Sequence, residues 1–354
     1  MPSSISSSDP KSGAGPAAWR RFAVLFAATA AGVGAAVYLF VAIVDPWDML
    51  PLSPRWHRVP ISINARYTMP ALAVSARFDS AMVGTSTGRL LQPAIMDAPF
   101  DARFANLAMS SASPWEQDRL LRLFLRHHAA PRFVLIDIDA AWCFAAPRNL
   151  STGNRPAPDW MYVGSPWRGY ADIMSLYAVQ EAANQFMWLT GRKRQRFGTD
   201  GYTTFLPPDS RYDPRWVAAQ FRKEIFDTSM ARGPAAPPVS MPMLAGLVAA
   251  IPAGTTTILW FPPTDKERQG APGSTVAATR AACRAAVTAI ARAAPRTMVV
   301  DFDIPGPVTG TRDNFWDSIH YRQSVARLVM DDLAAIHSGR AIPPEHGRVL
   351  VPLH

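Results

Sequence analysis

The sequence predicts an α/β domain, a three-layer doubly wound parallel sheet, preceded by one membrane-spanning helix. Five short apolar runs, each bounded by Pro, Gly or Asp, alternate with longer segments of helical periodicity, as parallel strands covered on both faces do. At 354 residues and 38.6 kDa the chain is long enough to bury a substantial core. Phe22 to Val44 is a run of 23 residues without a charge, about the length that crosses a bilayer as a helix.

Taken in order, residues 1–21 form a tail; Met1 to Ala18 is rich in Ser, Gly, Pro and Ala and is expected to be disordered. Arg20 and Arg21 directly precede the apolar run and Asp45 follows it, so the positive-inside tendency puts the N-terminus in the cytoplasm and everything after Val44 outside. A cleaved signal peptide is the rival, but its apolar core is usually about 7 to 15 residues long. Val41-Ala42-Ile43-Val44-Asp45-Pro46-Trp47 also makes a poor cleavage site. A buried core helix would show a polar face, and this segment has none. The expectation is therefore a single-pass anchor at 22–44 in the inner membrane, with residues 45–77 as a lead-in to a domain over 78–340.

The strand candidates are Ser80 to Gly84, Arg103 to Ala108, Phe133 to Ile138, Thr256 to Phe261 and Thr297 to Phe302. Helical periodicity marks Trp115 to His128, the alanine-rich stretch Thr275 to Ala293, and Gln323 to Ile336, with Val325, Leu328, Val329 and Leu333 on one face. Residues from about 145 to 240 depart from this rhythm. They hold Trp160, Tyr162, Trp167, Tyr170, Trp188, Phe197, Tyr202, Phe205, Tyr212 and Trp216 among many Pro, Gly and Arg. Such aromatics either form a small core beneath long loops or stack on sugar rings, and the core reading carries more weight. Residues 341–354 read as a C-terminal tail.

The formal net charge is +9, yet no arginine cluster alternates with aromatics as a nucleic-acid groove needs, so nucleic acid is not an expected partner. The densest run, Arg192-Lys193-Arg194-Gln195-Arg196, reads as a solvated face or a contact for anionic headgroups. Cys143 and Cys283 are too few for a disulfide framework or a zinc cage. Two unpaired, buried thiols are expected, with one bridge as the alternative. His127 and His128 end a helix, where histidine satisfies terminal carbonyls. His57, His337, His346 and His354 have no acid or cysteine at ligand spacing, so neither a metal nor an organic cofactor is implied. Asn149-Leu150-Ser151 matches a glycosylation sequon, a pattern frequent by chance.

Chemistry is concentrated in two segments: Met82-Val83-Gly84-Thr85-Ser86-Thr87-Gly88-Arg89 and Asp317-Ser318-Ile319-His320-Tyr321. A serine hydroxyl needs an imidazole to take its proton, and the imidazole needs a carboxylate to fix its tautomer. Ser86, His320 and Asp317 supply all three. Ser86 follows the first expected strand by two residues, at the carboxyl end of a strand, where open α/β sheets place their sites.

The Gly84-Thr85-Ser86 turn, the segment from Asn106 to Pro114 leading into a helix, the run from Pro131 to Asp137, and Asp317-x-x-His320 before the last helix together resemble the SGNH (GDSL-like) hydrolase superfamily over residues 78 to 337. That resemblance implies a flavodoxin-like fold, with Ser86 as nucleophile, His320 as general base and Asp317 as the residue that orients it. It also implies that the Ser86 N–H and an N–H in the segment after the second strand form an oxyanion hole. Ser111 stands where that segment usually has glycine, and its N–H serves if the backbone there does not require a positive φ. A third donor in many members is an asparagine after the third strand, where this chain has Asp137-Ile138-Asp139. Arg89 could face the oxyanion or a glycan carboxylate, or pair with a surface acid.

An N-terminal span followed by an extracytoplasmic domain of this kind resembles the alginate O-acetylation proteins and the D-alanyl transfer protein of teichoic acid, which work beside a membrane-bound acyl donor partner. The expectation is an O-acyltransferase or esterase acting on an extracytoplasmic polysaccharide. An esterase of small acyl esters stands beside it, and from another class a catalytically degenerate domain that binds glycan or scaffolds an export assembly.

Overall fold

The computed structural model describes residues 15–148, 158–163, 165–195, 197–224 and 234–353; the sequon at 149–151 and Arg196 lie outside them. Helices α1 (Pro16–Val44) and α2 (Ala65–Val74) lead to β1 (Ser80–Val83), and α3 (Pro93–Phe100) leads to β2 (Phe104–Asn106). Next come α4 (Pro114–His127) and β3 (Phe133–Asp137). Between β3 and β4 (Thr256–Phe261) lie α5 (Ala140–Phe144), α6 (Asp159–Tyr162), α7 (Gly169–Asp172), α8 (Leu176–Leu189), α9 (Pro214–Glu224) and α10 (Met241–Ala249). The chain closes with α11 (Thr275–Arg292), β5 (Thr297–Asp301), α12 (Pro307–Gly310), α13 (Gln323–His337) and β6 (Arg348–Val351).

The six strands form one sheet in the order β2-β1-β3-β4-β5-β6; the first five are parallel and β6 is antiparallel to β5. Strand residues alternate between two cores, as a period of two requires. Ala81, Val83, Val134, Ile136 and Leu259 face α2, α4, α10 and α11; Met82, Leu135, Ile258 and Trp260 face α3 and α13. Because β1 continues to β2 on one side and β3 lies on the other, a switch point opens between the carboxyl ends of β1 and β3, where this topology forms a crevice.

At the C-terminus, where a tail is expected, residues 348–351 form β6 and extend the sheet. The lead-in likewise contains α2, capped by the Asn64 side chain, which accepts from the Arg66 N–H. The 145–240 stretch carries α6 to α9. Of its aromatics, Trp160, Tyr162 and Phe197 are buried while Trp167, Phe205 and Trp216 are exposed.

Cys143 and Cys283 form a disulfide, not two free thiols, and staple α5 to α11. They lie 140 residues apart, so sequence proximity gave no hint of the pairing. His346 also finds an acid, Asp332, 3.0 Å away. The His128 ring nitrogens lie 2.9 Å from the Phe124 carbonyl oxygen and 3.1 Å from that of Ser75.

α1 is exposed from Pro16 to Ala36, but its last turns enter the domain: Val41, Ala42 and Val44 are buried with the α2–α4 core. The Arg58 guanidinium bonds the carbonyls of Ile43, Val44 and Pro54 and the Asp48 carboxylate. It thereby satisfies carbonyls that a helix end leaves unpaired and fixes the angle at which α1 leaves the domain.

Candidate active site

Ser86 lies three positions beyond the end of β1, in a turn built around the end of β3. A Cβ at Gly84 would run into the Asp137 side chain, so only glycine lets the turn pass that close. Arg89 N–H donates to the Thr85 carbonyl and Leu90 N–H to the Thr87 carbonyl, each at 3.2 Å, coiling the backbone behind the serine. The hydroxyls on either side of Ser86 are both tied to β3's end: Thr85 donates to Asp139, and Thr87 donates to Asp137 at 2.6 Å. Ser86, between them, is half-buried and free to face the other loop.

That loop precedes α13. Trp316 N–H donates to the His320 carbonyl at 2.8 Å and Phe315 bridges Tyr321, closing a tight turn. Within it, Asp317 Oδ1 accepts from the N–H groups of Ile319 (2.9 Å) and His320 (2.7 Å). Asp317 Oδ2 lies 2.5 Å from His320 Nδ1, and His320 Nε2 lies 2.7 Å from Ser86 Oγ. The structure therefore brings Ser86, His320 and Asp317 into one hydrogen-bonded chain across 234 positions of sequence. Buried Tyr321 clamps the two loops, its hydroxyl donating to the Thr87 carbonyl at 2.7 Å.

Electrostatics separate the acids. Burial alone would raise the Asp317 carboxyl, but the hydrogen bond and charge of His320 and the Ile319 and His320 N–H groups outweigh it and hold it below its ordinary value. Asp137 goes the other way: wholly buried and close to Asp139, it is held well above the ordinary carboxylate range. Asp317 is thus the acid favoured in its ionised form beside the imidazole, and Asp137 a brace beneath the serine turn whose protonated form burial favours.

Ser110 and Ser111 lie beside the serine turn, since Met109 N–H donates to the Gly84 carbonyl at 3.0 Å. Ser111 has φ +53°, the left-handed conformation that glycine adopts freely, so the condition on its backbone is not met and the serine is strained there. The buried Arg66–Glu116 pair holds it: Arg66 bonds both Glu116 oxygens and the carbonyls of Ser110 and Ser111. Arg89 pairs with no acid among the described residues. It donates to Ser110 Oγ at 2.6 Å and lies 5.1 Å over the Phe205 ring, and burial lowers its pKa. Phe205 in turn meets the His320 ring edge-on at 5.4 Å.

Phe205 reaches this place because the preceding strap crosses the end of β2. Asn106 N–H donates to the Asp200 carbonyl at 2.8 Å, and Gly201, at φ +88°, passes so close to the Asn106 carbonyl that a side chain would not fit. A cleft of about 890 Å³ lies over the ends of β3 to β5, lined by Thr87, Asp139, Phe261, Arg280 and Ser318 among others but by none of Ser86, Asp317 and His320. Burial, then the neighbouring Arg284 charge, lowers Arg280 to about 9.

Sequence reasoning missed Thr85, Thr87, Asp137 and Tyr321 as supports of the site. The one signal present was the acid pair Asp137 and Asp139 at the end of β3, which the sequence reading took only for a missing asparagine. Among the described residues no group of three or more His, Cys, Asp or Glu is placed to hold a metal ion. Compared with protein-family models and with curated proteins, the chain matches none.

Proposed function

We propose that the chain is a membrane-anchored, extracytoplasmic serine O-acyltransferase or esterase of the SGNH type that acts on a polysaccharide. The observation that carries this reading is the continuous Ser86–His320–Asp317 hydrogen-bonded chain, in nucleophile, base and orienter order, at the switch point of a doubly wound sheet. Ser86 Oγ attacks the acyl carbonyl as His320 Nε2 takes its proton, and the collapsing adduct expels the donor's alkoxide, which takes that proton back. A sugar hydroxyl or water, deprotonated by the same nitrogen, then attacks the acyl-serine carbonyl, and Ser86 Oγ leaves, taking the proton back from His320.

The Ser86 N–H would stabilise the oxyanion. Arg89, cationic and without a carboxylate partner among the described residues, would meet a carboxylate of the acceptor. The Cys143–Cys283 disulfide supports an oxidising compartment and hence placement of the domain outside the cytoplasm. A membrane-bound acyl donor protein is the proposed partner.

The absence of an asparagine donor after β3, where the chain has Asp137-Ile138-Asp139, favours a second reading, a glycan-binding scaffold without turnover. The full-length protein in detergent should hydrolyse a chromogenic acetyl ester, and Ser86→Ala should abolish this. Acetyl release that requires an added oligosaccharide would establish transfer, whereas no release under either condition would leave the scaffold.

A further inference from the structure

α8 is amphipathic in the inverse sense. Its inward face buries Glu181 and Gln185 with Tyr177, Ala178 and Ala182. Asn184 donates to Glu181, and the Gln185 amide lies against the backbone N–H and C=O of Val59. Its outward face carries Leu176 (91% exposed), Ala183, Phe186 (42%) and Met187 (37%) at helical spacing, with Gln180 as the one exposed polar side chain among them. A helix on an aqueous surface has the opposite pattern. Polar residues inward and a stripe of large apolar residues outward is a pattern that lipid favours.

The geometry of α1 places this stripe at the membrane. Starting after Arg21, the last charge before the span, a hydrocarbon core of about 30 Å takes about 20 residues at 1.5 Å each, which reaches Val41. Any tilt takes more. Yet Val41 is already buried in the domain, so the domain surface around the exit of α1 must meet the hydrocarbon boundary. That surface is α8 and the turn before it: Phe40 meets Phe186 with ring centroids 5.9 Å apart, and the Tyr38 hydroxyl donates to the Tyr170 carbonyl at 2.8 Å. Tyr170 lies beside exposed Trp167, the kind of aromatic pair that sits at headgroup level. Exposed Arg168, Arg192 and Arg194 flank the stripe, against one exposed acid, Asp172, between residues 165 and 195.

We propose that the outward face of α8 is a second membrane contact, seated in the interface of the leaflet that α1 leaves, with the flanking arginines on anionic lipid headgroups. The proposal rests on reading α1 as a membrane span and is independent of the chemistry at Ser86. Since both native cysteines are bonded to each other, an introduced cysteine is the free thiol to label. Ala183→Cys, Met187→Cys, Val33→Cys in α1 and Ser338→Cys at the exposed end of α13 are each labelled with an environment-sensitive fluorophore in the full-length protein. The protein is then reconstituted into phosphatidylcholine–phosphatidylglycerol vesicles.

Labels at 183 and 187 should lose most of their emission to lipids bearing a nitroxide high on the acyl chain and be several-fold less sensitive to aqueous iodide than the label at 338. If 183 and 187 behave like 338 while 33 is quenched by lipid, the contact is refuted and the span stands. If 33 also escapes lipid quenching, the span fails and takes the contact with it. Shielding of 183 and 187 in native membranes but not in these vesicles would overturn the proposal in favour of a protein partner.

Discussion

At the level of single residues, the site works by giving similar carboxyl groups opposite tasks. Asp317 is held ionised by the His320 ring and two backbone N–H groups, so its contribution to the folded state is complete above the unfolded Asp pKa of about 3.9 and is lost only as pH falls through its lowered folded value. Asp317→Asn keeps the shape but presents the wrong hydrogen-bonding partner to Nδ1; kcat on an acetyl ester should fall by about 10,000-fold, with the fold unchanged by circular dichroism. Asp137 has the reverse sign. Its raised folded pKa means its stabilising share is complete below about pH 3.9 and is lost as pH climbs toward the folded value. Asp137→Asn, which can still accept from Thr87, should flatten the fall in stability as pH rises from about 4; urea titrations at a series of pH values give the slopes. An unchanged slope would mean that Asp137 titrates normally.

At the level of elements, the parallel strands were legible because each is a continuous apolar run with Pro, Gly or Asp at its ends, and β4 begins and ends where the pattern says. β6 was not, because Arg348-Val349-Leu350-Val351 pairs as an edge strand, half-exposed, and gives only a short mixed run. The Cys143–Cys283 bridge was hidden for another reason: what joins them is the packing of α5 against α11, which no local pattern encodes. Replacing both cysteines by alanine should lower the unfolding free energy by about 2–4 kcal/mol, read from denaturant midpoints in detergent. No change on removal would mean the pair does not form in the folded protein. In the candidate site, Ser86, Asp317 and His320 were readable from residue type and spacing. Thr85, Thr87 and Tyr321 were not, because their roles exist only once β1, β3 and the loop before α13 converge.

For the whole molecule, α1 and the domain are one packed body at their junction: the end of α1 shares the core of α2 and α4, and Arg58 ties its last carbonyls to the lead-in. The sheet's switch point and the closing loop then present the serine at a fixed place relative to α1. Replacing Arg58 by alanine leaves those carbonyls short of donors and should cost about 1–3 kcal/mol in stability while leaving the kcat of the remaining folded protein unchanged. A lowered kcat with unchanged stability would place Arg58 in the chemistry instead. The central claim, that Ser86 is an activated nucleophile, is tested most directly by treating the full-length protein with a serine-directed fluorophosphonate and mapping the adduct by mass spectrometry. The account predicts a single adduct on Ser86 that is lost in His320→Ala. Absence of an adduct on the folded wild-type protein, or an adduct that persists in Ser86→Ala, would contradict it.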